Sequence, residues 1–106
     1  MLLKAKIQPD TFAEVAGSTA MVKVVVDVER KVLSLGCELH IDCAEELAGD
    51  GSSVKNLWGA NVYPSDKRID FVSLINIRPL QGNRSMEIQD EAIRQRVEAV
   101  IRKLLF

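Results

Sequence analysis

The sequence predicts a single α+β domain, an antiparallel β-meander of about four to five strands with a short N-terminal helix and a long C-terminal helix. The chain has 106 residues, which suffice for one hydrophobic core and are too few for two. Residues 33–42 alternate between apolar and polar side chains, the period of a half-buried strand. Residues 90–105 carry apolar side chains at helical spacing and predict an amphipathic helix.

The first part of the chain predicts two strands, a helix and a hairpin turn. Residues 3–7 alternate weakly and predict a first strand. A Thr-x-x-Glu capping box at Thr11 predicts a short helix, and Gly17 can end it in the left-handed conformation. Residues 21–28 are rich in β-branched side chains and predict a strand. Residues 29–31 then predict a tight hairpin that leads into the alternating stretch.

The second part predicts two further strands before the long helix. Residues 44–48 predict a short helical turn, and a loop follows. Leu57–Tyr63 reads as a strand that ends at a proline, and residues 69–77 predict the last strand. Residues 79–86 form a polar connection without periodicity, and Asp90 begins the C-terminal helix.

Charge and composition bear on the choice of partner. Fourteen Lys and Arg face fifteen Asp and Glu, so the formal net charge is −1. This balance excludes an affinity for nucleic acid driven by global charge. The chain has one Trp, one Tyr and three Phe, too few for a stacking platform. We therefore expect neither a nucleic-acid partner nor a cofactor.

The N-terminus and the cysteines predict a cytoplasmic protein. The apolar run at the N-terminus is broken at Lys4, so it predicts neither a signal peptide nor a membrane span. If residues 37–43 run extended, Cys37 and Cys43 lie roughly 20 Å apart, too far for a disulfide. Two reduced thiols are the expectation, which fits the cytosol.

The first candidate site is Glu38-x-His40-x-Asp42. On a strand the three side chains point the same way, and carboxylates with an imidazole are ligands for a divalent metal. They equally suit acid–base catalysis, with His40, the only histidine, as the catalytic group. The alternative is that they form only the solvent face of the strand.

The second candidate site is the run of residues 75–85, which contains two arginines, two asparagines, a serine and a glycine. Guanidinium groups match phosphate or carboxylate oxygens at two points, so this run predicts an anion site. The candidate ligand-binding residues are Arg78, Asn83, Arg84, Ser85, Asn61, Asn76 and Glu38. The alternative is that Arg78 and Arg84 tie the connection down by hydrogen-bonding carbonyls and pairing with acids.

Self-association is predicted from the second face of the sheet. Val25, Val72 and Leu74 share that face, and an uncovered apolar face is costly for a monomer. We therefore expect a homodimer or a larger assembly. Trp58 is expected to be a core or interface residue rather than the wall of a ligand site.

Four stretches carry a family resemblance, at residues 25–29, 36–42, 57–64 and 75–85. Together they resemble a family of small prokaryotic proteins known only as a domain of unknown function, and the resemblance covers nearly the whole chain. It implies a free-standing protein without an assigned activity and supplies no catalytic residue. The residues that it places inside the family's motifs are His40, Asn61, Arg78, Asn83 and Arg84.

Three functions follow as hypotheses. The first is a homo-oligomeric module that binds an anionic small molecule through the loop from Arg78 to Arg84. The second is a small enzyme with His40 as general acid or base and the two arginines as electrostatic stabilisers. The third is a structural or partner-binding subunit. The sequence does not distinguish among them.

Overall fold

The computed structural model describes all 106 residues and has one antiparallel sheet with three α-helices. The strands are β1 (Leu2–Leu3), β2 (Val22–Asp27), β3 (Val32–Leu35), β4 (Leu57–Tyr63) and β5 (Arg68–Asp70). The helices are α1 (Pro9–Ala16), α2 (His40–Gly49) and α3 (Glu91–Leu105). The sheet has the order β1-β3-β2-β4-β5. The predicted α+β class, with a short N-terminal and a long C-terminal helix, is confirmed.

Strand β2 lies at the centre of the sheet. It forms a hairpin with β3, and the Asp27 carboxylate accepts hydrogen bonds from the backbone N–H groups of Glu29 and Arg30 at 2.9 Å each. Lys31 adopts a φ of 58° in this turn, so the predicted hairpin is present. On its other side β2 pairs with β4, with Val25 opposite Gly59. Strand β2 therefore lies between β3 and β4 in the sheet. In a strictly sequential meander, β3 and β4 would be neighbours.

The main hydrophobic core lies between one face of the sheet and helices α1 and α3. It contains 19 buried residues, and Trp58, at 2% exposed, is one of them. Helix α3 contributes five buried side chains, and its N-cap is Asp90, whose carboxylate accepts from Ala92 N at 2.8 Å. The long helix and the core position of Trp58 agree with the sequence prediction. Helix α3 buries Val97, Val100, Ile101, Leu104 and Leu105.

Helix α2 covers the opposite face of the sheet. Cys43, Ala44 and Leu47 of this helix form a second buried cluster with Val25 and its neighbours. Val25 is fully buried, so the expectation that it lies on an uncovered face is wrong. Leu74, which was predicted on the same face, is 71% exposed, so this apolar side chain does remain open to solvent.

The alternating stretch at residues 33–42 does not form one strand. Strand β3 ends at Leu35, and Gly36 takes a φ of +80°, which turns the chain away from the sheet. Helix α2 then begins at His40. Leu39 and Ile41, expected on a buried strand face, are 56% and 47% exposed. The alternation of apolar and polar residues therefore continues past the end of β3, where the apolar side chains are not buried.

This turn brings the two cysteines together. Cys37 and Cys43 form a disulfide, with Cα atoms 5.7 Å apart. The expectation of two reduced thiols assumed an extended chain between them and is wrong, because α2 begins between the two residues. With the two cysteines bridged, they do not indicate a cytoplasmic location. None of the three helices has both the length and the apolar composition of a membrane span.

The predicted strand at residues 69–77 is also shorter in the structure. Strand β5 ends at Asp70, and Val72 forms a single bridge with Glu87. Two 3₁₀ turns follow, at Leu74–Asn76 and Pro79–Gln81. We call residues 71–90 the connecting segment, since it joins the sheet to α3.

The N-terminal elements differ in their bounds. Strand β1 spans only Leu2–Leu3, whereas residues 3–7 were expected. Helix α1 begins at Pro9, two residues before the predicted capping box, because proline fits the first turn of a helix. It ends before Gly17, as expected, although Gly17 has a φ of 60° and a ψ of −135°, which is open to glycine but is not the left-handed helical conformation that was predicted.

Candidate ligand-binding pocket

An open pocket of about 340 Å³ lies between the start of α2, the connecting segment and strands β2 and β4. This volume falls within the range of small-molecule sites, about 300–1,000 Å³. No aspartate or glutamate lines it. The apolar lining residues are Met21, Leu39, Ile41, Val72, Leu74, Ile75 and Met86. The polar lining residues are Lys23, His40, Asn61 and Ser73.

His40 is the first residue of α2 and is half-buried in the pocket wall. Its Nε2 lies 2.8 Å from the Ala60 carbonyl oxygen. A carbonyl only accepts, so Nε2 carries the proton and Nδ1 of the neutral ring keeps a lone pair. Burial lowers the pKa of His40, and the charge of Lys23 lowers it further against the opposing effects of Ala60 and Asn61. The ring is therefore neutral at pH 7.

Asn61 provides an acceptor in the same pocket. Its Nδ2 is 3.4 Å from the Val72 carbonyl oxygen, a long hydrogen bond. Its Oδ1 is buried and has no hydrogen-bond partner. An unpaired buried acceptor costs about 1–3 kcal/mol. An N–H or O–H donor on a bound molecule would recover this cost.

Arg78 was predicted to be the centre of an anion site, but its side chain contacts other parts of the chain instead. Its Nε donates to the Ile75 carbonyl at 3.0 Å, and its Nη1 donates to Val54 O at 3.1 Å. Its Nη2 donates to Leu57 O, and the guanidinium lies 4.4 Å from the centroid of the Trp58 ring. Burial lowers the pKa of this guanidinium. These contacts are those of the alternative in which Arg78 ties the connection down.

Asn76 and Asn83 belong to the same buried network. Asn76 is fully buried and bonds to the backbone of Gly59 and Met86. Asn83, 3% exposed, donates from Nδ2 to three carbonyls, the nearest being Asn76 O at 2.8 Å. Ser85 Oγ accepts from Glu87 N at 3.1 Å. These three side chains hold the connecting segment in shape.

The remaining predicted residues lie at the surface. Arg84 is exposed, and its side chain forms no hydrogen bond or ion pair within the chain. Glu38 is exposed in the turn before α2 rather than on a strand. Glu38, His40 and Asp42 do not converge, since no three His, Cys, Asp or Glu side chains form a group that could hold a metal ion.

The structure thus brings together only part of the predicted site. His40 and Asn61 meet in the pocket, whereas Arg78 and Arg84 do not line it. The enzyme hypothesis requires the two arginines beside His40, whereas the cation that lines the pocket with His40 is Lys23. Lys23 was not singled out from the sequence. The sequence feature that could have identified it is a single cation in a run of valines, on the same strand face as Val25.

Comparison with known proteins gives a family but no functional relative. Residues 1–104 match the family model described as "Protein of unknown function (DUF5674)". No curated protein and no solved structure matches the chain.

Proposed function

The chain belongs to the DUF5674 family of proteins of unknown function, and we propose from its geometry that it is a small binding protein for an amphipathic anion. The observation that carries this proposal is the composition of the pocket. Seven apolar side chains surround Lys23, His40 and Asn61, and no carboxylate lies among them. Such a site favours an apolar body with one negatively charged end.

Each polar group of the pocket implies a feature of the ligand. The Lys23 ammonium attracts a carboxylate or phosphate, and this attraction is strengthened where apolar walls exclude water. The unpaired Asn61 Oδ1 accepts from an N–H or O–H group on the ligand. The volume of about 340 Å³ corresponds to about eleven molecules of liquid water, at about 30 Å³ each, which is room for a small ligand. A medium-chain carboxylate meets the requirements of charge and apolar body, and a hydroxyl beside the carboxylate would in addition donate to Asn61 Oδ1.

The anionic ligand expected from the sequence is therefore retained, with a different site. The Arg78 guanidinium already donates to backbone carbonyls, so few of its N–H groups remain for an anion. Arg84 is exposed and lies outside the pocket lining. These contacts support the pocket over the loop from Arg78 to Arg84.

Calorimetric titration with decanoate tests the proposal, with decanol and decylamine as matched ligands. We expect decanoate to bind and Lys23→Gln to weaken it by about ten-fold, the worth of one charge-assisted hydrogen bond. Lys55→Gln, at an exposed residue outside the pocket lining, serves as the control and leaves the affinity unchanged. Equal affinity for decylamine, or no effect of Lys23→Gln, would contradict the proposal.

A second candidate function, self-association, is supported by a separate observation. Several large apolar side chains of the connecting segment face solvent: Leu74 at 71%, Ile77 at 44% and Leu80 fully exposed. Exposed apolar groups in one segment are typical of protein contact surfaces. Sedimentation velocity tests this role: we expect a dimer or larger species that Leu80→Glu dissociates. A monomer at high micromolar concentration contradicts it.

A further inference from the structure

The disulfide encloses the part of the pocket wall that α2 supplies. Cys37 and Cys43 are six residues apart, and the enclosed residues include Leu39, His40 and Ile41, all of which line the pocket. We propose that this disulfide is a redox switch for the pocket: when a dithiol reduces it, the first turn of α2 loosens and ligand affinity falls. The inference rests on the binding function proposed above and names its regulation.

The first turn of α2 has few other anchors. Leu39 occupies the N-cap position and provides no side-chain hydrogen bond to the helix. The side chains of Leu39, Ile41 and Asp42 are exposed, and the buried residues of α2 begin at Cys43. Besides the bridge, the hydrogen bond from His40 to Ala60 O holds this turn to the sheet. Once the bridge is removed, this is the one side-chain hydrogen bond that joins residues 39–42 to the sheet.

The two cysteine residues differ in exposure, which sets the order of reduction. Cys43 is fully buried, whereas Cys37 is only partly buried. A thiolate of the dithiol attacks Cys37 Sγ, the S–S bond breaks, and its electron pair leaves on Cys43 Sγ, which takes a proton. The second thiol of the reductant then displaces the Cys37 thiol and closes the reductant's own disulfide. One dithiol is oxidised and two protein thiols are formed.

The rest of the fold does not depend on the bridge. Cys43 packs with Val25, Ala44 and Leu47, and a buried thiol behaves as a small apolar side chain. The packing of α2 on the sheet is therefore retained after reduction. The expected effect is local, at residues 39–42, which is what a switch requires.

Amide hydrogen exchange and decanoate titration, each on the oxidised and the dithiothreitol-reduced chain, test the switch. Closing a loop of this size restricts the open chain strongly, so we expect exchange at residues 39–42 to accelerate at least about ten-fold on reduction. Exchange in β2 and β4 should not change. Decanoate affinity should fall several-fold.

The Cys37→Ala/Cys43→Ala double variant is the control, because it removes the only two cysteines. It should resemble the reduced chain and should not respond to dithiothreitol. Equal exchange at residues 39–42 in both redox states overturns the switch, as does an unchanged affinity where binding is measurable. If neither state binds decanoate, the binding function fails, and the exchange difference still decides whether the bridge controls the turn.

Discussion

Asn76 pairs with Gly59 through its side chain as a neighbouring strand would pair through its backbone. Its Oδ1 accepts from Gly59 N at 2.8 Å, and its Nδ2 donates to Gly59 O at 3.0 Å. Gly59 lies two residues before Asn61, the position in β4 where pairing with β5 ends at Asp70. A carboxamide has the same donor and acceptor as a peptide group. It therefore extends the edge pairing of β4 beyond the end of β5.

Asn76→Asp should destabilise the fold strongly. The carboxylate can still accept from Gly59 N, but its second oxygen would face the carbonyls of Gly59 and Met86, which now receive a donor from Nδ2. Burying this charge with Gly59 N as its one donor costs about 3 kcal/mol. Urea unfolding at pH 7 measures the change. Gln95→Glu, the same chemical change on the exposed face of α3, should alter stability by less than about 0.5 kcal/mol.

Gly59→Ala should be destabilising for a steric reason. A Cβ at residue 59 would lie 2.5 Å from Ser73 Cβ and 3.2 Å from Ile75 Cγ1. The segment carrying Asn76 must then move away from β4, so we expect a loss of about 2 kcal/mol or more in the free energy of unfolding. Thermal unfolding provides the measurement.

The matched control for this substitution is Gly49→Ala. No atom lies within 4 Å of a Cβ built there, and Gly49 is the last residue of α2. Alanine favours the helix, so this variant should gain up to about 1 kcal/mol. Adding Ser73→Gly to Gly59→Ala should restore part of the lost stability, since it removes the nearest clash. A neutral Gly59→Ala, or a destabilised Gly59→Ala that Ser73→Gly does not rescue, argues against the close approach.

The elements that the sequence predicted well are those whose burial follows their local period. Leu57–Tyr63 and the helix after Asp90 have the expected bounds within a residue, because one face of each is buried along its whole length. Residues 36–42 alternate between apolar and polar side chains as a strand does, but they do not form a strand. Gly36 in the left-handed region, and the helical spacing of Cys43, Ala44 and Leu47, were the competing signals.

The candidate site was predicted only in part, because side-chain partners distant in sequence decide its roles. Arg78 and Asn83 have the chemistry of anion ligands, yet their donors bond carbonyls that no local pattern reveals. His40 was chosen for the chemistry of its side chain. It was predicted to lie on a strand, whereas it is the first residue of α2. Lys23 lies near His40 because α2 packs against β2. The alternating pattern predicted a strand at His40 and so gave no sign of this packing.

Arg78→Lys should destabilise the protein although it keeps the charge. The planar guanidinium donates to four backbone carbonyls and stacks on Trp58, and a single ammonium cannot do both. We expect a loss of about 2 kcal/mol and a shift in the fluorescence of Trp58, the only tryptophan. Arg84→Lys is the control and should leave both unchanged. Equal effects of the two substitutions would show that Arg78 has no special structural role.

His40 should make stability depend on pH below its ordinary pKa of 6.5. The pKa of His40 is lowered in the fold, so below pH 6.5 the unfolded chain binds a proton that the folded chain does not. The free energy of unfolding must therefore be highest above pH 6.5 and fall as the pH drops through the window just beneath it. For one proton the slope is at most about 1.4 kcal/mol per pH unit.

Urea unfolding of the wild type and His40→Gln at intervals from pH 7.5 to 5.5 checks this dependence. Glutamine keeps a donor for Ala60 O but does not titrate, so its curve should be flat where that of the wild type declines. The lowered pKa values of Glu46 and Asp50 keep these carboxylates ionised across this range. Because His40 is the only histidine, its proton NMR signal gives the pKa directly. A measured value at or above 6.5, or parallel curves for the two proteins, contradicts a buried neutral imidazole in the pocket wall.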